Sequence, residues 1–178
     1  QRAFYDGLHF NNIILKARQL GMSTGINLTM LDTCLFNANT ECGIIAHTES
    51  AGMDLLRRNI RQVYSDLPEA IQALAPLFSD SAHHVRFSNG SSIKVATTMR
   101  SSSLQMLHIS EFGKIAANSP PRAREIVSGS LETVAKGNIV VIESTAEGSS
   151  GYFYQYCQTA QALADSGKAL SASDYRFF

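Results

Sequence analysis

The chain has no surplus charge of either sign: 15 Lys and Arg balance 15 Asp and Glu, for a formal net charge of zero. That balance excludes a free-standing nucleic-acid clamp held by a broad basic face, while leaving room for a few local phosphate contacts. Cysteine is scarce. The three present, Cys34, Cys42 and Cys157, are widely spaced, odd in number and form no metal-type pair. They read as reduced thiols of a cytosolic protein rather than as a disulfide framework or a zinc site. No apolar run approaches membrane-spanning length, and the first residues do not read as a secretory leader. Internal repeats, low-complexity tracts and linker-like stretches are also missing. What remains is 178 residues, 44% hydrophobic and 17% charged. This is ordinary for one globular domain with a substantial core. Gln1 is not a methionine, and Tyr175-Arg176-Phe177-Phe178 reads as a strand just starting, so the chain is expected to be a fragment of a longer protein.

Apolar runs and helical spacings alternate along the chain. A first strand is expected over Asn12–Lys16 and a helix from Ser23 to Phe36. The run Cys42–His47 reads as a buried strand, followed by a helix capped at Ser50 and reaching Asp66, with Leu55, Leu56, Ile60 and Val63 at helical spacing. Pro68 to Leu77 is expected to hold a short helix. His84–Phe87 and Ser92–Ala96 flank Asn89-Gly90, the strongest short hairpin signal. Leu104–Ile109 and Asn138–Ile142 are further apolar strands, and Arg122–Val134 and Gly151–Ser166 are expected helices. Strands alternating with helices, several of them apolar throughout, imply one α/β domain. Its sheet should be mostly parallel and covered on both faces.

The most informative stretch is Lys16-Ala17-Arg18-Gln19-Leu20-Gly21-Met22-Ser23-Thr24, directly after an apolar run. It looks like a phosphate-binding loop whose lysine has moved. The usual loop has Gly, four residues, then Gly-Lys-Ser/Thr between a strand and a helix. Here Gly21 and Ser23 keep their places, Met22 stands where the lysine belongs, and Lys16 stands where the first glycine belongs. A phosphate cradle needs helix-N-terminal amides, a mobile cation and a hydroxyl for Mg²⁺. A lysine at the loop entrance can fold back and supply the cation. The same residues also suit a plain strand-to-helix turn, bent at Gly21 and capped by Ser23.

Leu104–Glu111 is an apolar strand ending in a carboxylate. In nucleotide hydrolases of this architecture the next strand over commonly delivers an acid pair, one member for Mg²⁺ and a glutamate for the attacking water. Ser110 replaces the first acid and can hold only a metal-bound water through its hydroxyl. Glu111 occupies the catalytic place, and its alternative is a solvated residue after a strand. A third feature, Val140-Val141-Ile142-Glu143-Ser144-Thr145-Ala146, is a buried strand opening into a small polar turn. Such a turn can sense a γ-phosphate or simply end a strand.

Taken in order, these three pieces resemble the ATPase domain of phage terminase large subunits, the motors that package viral DNA. The Ala17-Arg18-Gln19-Leu20-Gly21 core and the lead-in Ser92–Arg100 carry the likeness further, over nearly the whole chain. The resemblance implies a P-loop NTPase fold of the ASCE/RecA-like kind, with an inserted β-hairpin. Its cofactors would be ATP and Mg²⁺. Lys16 would be the phosphate lysine, Ser23 the Mg²⁺ hydroxyl, Ser110 a ligand through water, and Lys16 to Thr24 the nucleotide loop. Glu111 would be the catalytic carboxylate, and Ser144, Thr145 and Ala146 the coupling turn. Arg18 and Arg100 are candidate arginine fingers, each with the alternative of a solvated or salt-bridged surface role. Gln1 is either an adenine-reading glutamine or a frayed terminus.

The resemblance further implies double-stranded DNA, a homo-oligomeric ring, a portal and a small terminase subunit as partners. The expected location is the cytoplasm of an infected bacterial host. A nuclease domain is expected beyond residue 178, since no acid cluster here suits its two metals. A helicase-type ATPase and a degenerate nucleotide-binding scaffold without turnover are the alternatives. His83 and His84 would point to opposite faces of a strand and not share an ion. His108 reads as a hydrogen-bonded core residue, and Tyr152, Phe153, Tyr154 and Tyr156 as helix packing.

Overall fold

The computed structural model describes residues 1–100 and 103–178. Helix α1 (Arg2–Asp6) precedes strand β1 (Asn11–Leu15), helix α2 (Met22–Phe36) and strand β2 (Glu41–Ile45). Helix α3 (Glu49–Leu56) continues through a π-helical turn (Arg57–Arg61) into α4 (Gln62–Asp66), followed by α5 (Glu69–Gln72). Strands β3 (Leu77–Ser81), β4 (His84–Phe87), β5 (Ser92–Ala96) and β6 (Leu104–Ser110) come next. Helices α6 (Phe112–Asn118) and α7 (Pro120–Glu125) lead, through π- and 3₁₀-helical turns, to β7 (Val134–Ser144), α8 (Gly151–Asp165) and β8 (Tyr175–Phe177).

Among the described residues the strands form one sheet, in the order β3-β4-β5-β2-β6-β7-β1-β8. From β5 to β8 every pairing is parallel, while β3, β4 and β5 pair antiparallel. Alternation of side chains then splits each apolar run between two cores. Ile14, Ile44 and Val141 face the layer that contains Ile26, Met30, Leu56 and Ile60. Ile13, Ile45 and Ile142 face Phe112, Ile126 and Phe153. The carboxyl ends of β1, β2, β6 and β7 therefore open on one rim, where ligand sites of open α/β sheets form.

Several local expectations are corrected. Thr48, not Ser50, caps α3, its hydroxyl accepting from the Ala51 amide at 3.2 Å. The short helix after Pro68 stops at Gln72, and Leu77 opens strand β3 instead. Every β3 residue is exposed, so no alternation marks it in the sequence. Helix α6 starts directly at Phe112, and its Gly113 and missing cap residue hid it. The expected Arg122–Val134 helix begins earlier, at Pro120, and breaks into π- and 3₁₀-helical turns before β7. β6 is not the neighbour of β1, because β7 stands between them.

Candidate functional site

The loop between β1 and α2 is built by two residues in the left-handed region, Gln19 (φ 60°) and Gly21 (φ 69°). A side chain at Gly21 would be strained and would meet the Gln1 amide nitrogen at 2.7 Å. Gln1 itself donates to the Leu20 carbonyl at 2.8 Å, which ties the chain start to the loop. Gly21 caps α2 without a side-chain hydrogen bond, so its first amides are left to an outside partner. Met22 turns down into the core beside Ile26, so the residue at the usual lysine position faces away from the loop. Ala17, Arg18, Leu20 and Thr24 are exposed. Among the described residues Arg18 makes no ion pair.

Lys16 leaves β1 with its amide bonded to the Ser144 carbonyl at 3.1 Å. Its ammonium lies 3.1 Å from Glu111 Oε1 and 3.1 Å from Glu143 Oε2. Burial works against its charge, but the carboxylates of Glu143 and Glu111 outweigh it and raise the pKa above the ordinary lysine value. The lysine is therefore a fixed positive charge held between two acids.

Glu143, at 0% exposure, is the centre of the arrangement. Its Oε1 accepts from Ser23 Oγ at 2.6 Å and Ser110 Oγ at 2.8 Å, and faces His108 Nε2 at 3.3 Å. His108 Nδ1 lies 2.8 Å from Asn27 Oδ1 on α2. Burial would push this carboxyl up; the His108 imidazole, the Ser23 hydroxyl and the Lys16 ammonium reverse that and hold its pKa at about 2. The other oxygen, Oε2, is buried, takes no hydroxyl or imidazole donor, and faces the Lys16 ammonium.

Glu111 ends β6 in the left-handed region (φ 55°, ψ 44°), a conformation that costs a non-glycine residue about 1–3 kcal/mol and concentrates at functional sites. The bend turns its carboxylate over the rim, where Oε2 meets Lys114 Nζ at 3.4 Å and Thr145 Oγ1 at 3.4 Å. Ser144 is buried, and a Cβ at Gly113 would stand 2.8 Å from its hydroxyl; glycine lets α6 approach the turn. Ala146 is exposed at the mouth.

The structure thus brings Lys16, Ser23, Ser110, Glu111 and Thr145 to one rim. Arg100 is not among them: it lies beyond β5, 69% exposed, and pairs with Glu125 at 2.8 Å. Sequence reasoning passed over Glu143 as a site residue, although an acid closing the run Val140-Val141-Ile142 was the available signal. It also missed Arg122, whose guanidinium donates to the carbonyls of Ala46, His47 and Thr97 at 2.5–3.0 Å and ties the ends of β2 and β5 together. His83 pairs with Glu49, and among the described residues no three His, Cys, Asp or Glu side chains form a metal-ligand cluster. No described helix is long and apolar enough to cross a membrane.

No protein-family model matches the chain, and no curated protein matches it. Solved structures do. The large terminase ATPase domain of Thermus phage P74-26 superposes with a TM-score of 0.67 at 14% identity, over 99% of this chain and 78% of that one. The large terminase of the thermophilic bacteriophage D6E gives 0.60 at 10% identity, over 96% of this chain and 40% of that one. The D6E complex with ATP-γ-S gives 0.57. The chain has the fold of a phage large terminase ATPase domain, a mostly parallel α/β sheet with helices on both faces.

Proposed function

We propose that this chain is the ATP-hydrolysing motor domain of a viral DNA-packaging machine, coupling turnover to translocation of double-stranded DNA in a ring of copies. The observation that carries the reading is Lys16, set at the loop entrance with its ammonium 3.1 Å from both Glu111 and Glu143. The residues fit a nucleotide and its cation. The left-handed Gly21 leaves the α2 amides open, a buried carboxylate oxygen of Glu143 is met by the Lys16 ammonium and by no hydroxyl, and Ser23 is bonded to the other oxygen of the same carboxylate. Mg²⁺ held between protein and ATP would neutralise charge on the phosphate oxygens.

The chain's own groups then divide the work. The α2 amides cradle phosphate, and the Lys16 ammonium shifts from its carboxylates to the phosphate oxygens. Glu111 is thereby freed to orient and deprotonate water, and Thr145, bonded to that carboxylate, carries its position into the turn after β7. Arg100, exposed and paired with Glu125, serves as finger for a neighbouring copy's nucleotide. The likeness to the D6E terminase, which has been solved with ATP-γ-S and with ADP, supports the nucleotide reading.

Calorimetry and turnover measurements on Lys16→Ala and Met22→Leu test it. Lys16→Ala should lose hydrolysis and bind nucleotide weakly, because the loop loses its ammonium. Met22→Leu conserves core volume and should be mild. A Lys16→Ala domain that binds and hydrolyses ATP normally would end the displaced-lysine reading, and a wild-type domain that binds nucleotide but shows no turnover even when raised concentration and added DNA bring copies together would mark a scaffold.

A further inference from the structure

We infer that the carboxylate that holds the divalent cation in this site is Glu143 on β7, standing in for the acid that β6 lacks at Ser110. This rests on the nucleotide reading above. Ser110 and Glu143 are register partners across the parallel β6–β7 pair, so their side chains leave the sheet on the same face. An acid moved from one position to the other shifts by a single inter-strand spacing of about 4.8 Å. The shift is toward β1, because β7 lies between β6 and β1, and it brings the acid to Ser23 and Lys16. The Ser110 hydroxyl is retained as a donor to the relocated carboxylate at 2.8 Å.

The two oxygens of Glu143 are treated differently. Oε1 is held by Ser23, Ser110 and His108, and His108 is in turn held by Asn27. This is the outer support that fixes a ligating carboxylate. Oε2 is fully buried and takes no hydroxyl or imidazole donor; among the described residues it meets the Lys16 ammonium at 3.1 Å. A buried charge is a poor device for stability alone, since desolvation offsets much of the pairing. Here one oxygen is anchored and the other is turned toward a position where a cation already sits. Mg²⁺ in phosphate-transfer sites takes one or two carboxylates plus phosphate oxygens, and Oε2 with Ser23 supplies that protein share once Lys16 moves to the phosphates.

The test is the ratio of ADP affinities in Mg²⁺ and in EDTA, read by calorimetry, with Mn²⁺ retained in the ternary complex counted by EPR. In the wild type, the metal should tighten ADP. In Glu143→Gln that tightening should fall by roughly tenfold or more and bound Mn²⁺ should disappear. Metal-free ADP affinity should hold or tighten, because Lys16 loses a competing carboxylate. The exchange variant Ser110→Asp/Glu143→Ser returns the acid to β6 with the charge count unchanged, and should recover metal-dependent tightening. That variant decides the matter if Glu143→Gln does not fold. A full metal effect in Glu143→Gln overturns the assignment, as does equal weakening with and without metal, or an exchange variant that stays metal-blind. A wild-type domain that binds ADP under neither condition overturns the nucleotide reading instead.

Discussion

Two sets of acid–base pairs in this molecule, at the rim of β1, β6 and β7 and at the outer edge by β3 and β4, have opposite surroundings. At the rim Lys16 is 9% exposed and Glu143 0%. At the edge the Arg61–Asp80 partners are 22% and 39% exposed, and His83–Glu49 46% and 62%. Water screens the edge pairs, so each is worth at most about 1 kcal/mol. The Lys16–Glu143 pair is buried, and removing one partner strands a buried charge. Pairs of the same charge type therefore tie a strand edge in one place and hold a buried cluster together in the other.

The largest expected effect lies at the rim. Glu111→Gln should keep nucleotide affinity within a few-fold and cut turnover by orders of magnitude, because a water-orienting carboxylate acts chiefly in the transition state. Mixing Glu111→Gln with Arg100→Ala subunits should restore part of the turnover if Arg100 reaches a neighbour's nucleotide. Normal turnover in Glu111→Gln returns it to a strand-end acid, and absent rescue removes Arg100.

Next in size is packing. Ile142, at 0% exposure beside the site, should cost about 2–5 kcal/mol on change to Ala. Phe78, 74% exposed on β3, should change stability by less than about 0.5 kcal/mol. Urea unfolding of the two variants checks this, and equal losses would erase the contrast between centre and edge.

The smallest effect is a pH dependence at the edge. Partial burial, then Arg86 and Lys94, lower the pKa of His84 below the ordinary 6.5, with Glu41 partly offsetting them. The unfolded chain then binds this proton more readily than the folded one. The contribution of neutral His84 is complete above about 6.5 and is lost as pH falls below it. The urea midpoint should decline between about pH 7 and 5.5, and His84→Gln should make that decline shallower; an unchanged slope would show that His84 does not titrate differently in the two states.

Periodicity placed the central strands β1, β2, β6 and β7, because buried parallel strands are apolar throughout and announce themselves. Strand β3 stayed hidden because an exposed edge strand carries no such pattern. Asn89-Gly90 marked the β4–β5 hairpin, since its turn needs Gly90 at positive φ (84°). Lys16, Glu111 and Thr145 could be named because each closes or follows an apolar run, and Ser23 because it keeps its place two residues after Gly21. Asn27 and Arg122 could not, because their partners lie 81 and 75–76 residues away along the chain.

By itself, then, the amino-acid sequence determined the layered α/β architecture, the loop at Lys16 to Thr24 and the carboxylate at Glu111. All three depend on local pattern: a run of apolar residues, a glycine at a bend, an acid at a strand end. Tertiary structure alone decided that β7 enters between β1 and β6, that Met22 turns into the core, and that Glu143 receives Ser23, His108 and Ser110 on one oxygen and Lys16 on the other. Strand order is set by how the two faces pack and not by any short stretch. A charge buried 127 residues from Lys16 has no local signature until the sheet brings the two within 3.1 Å.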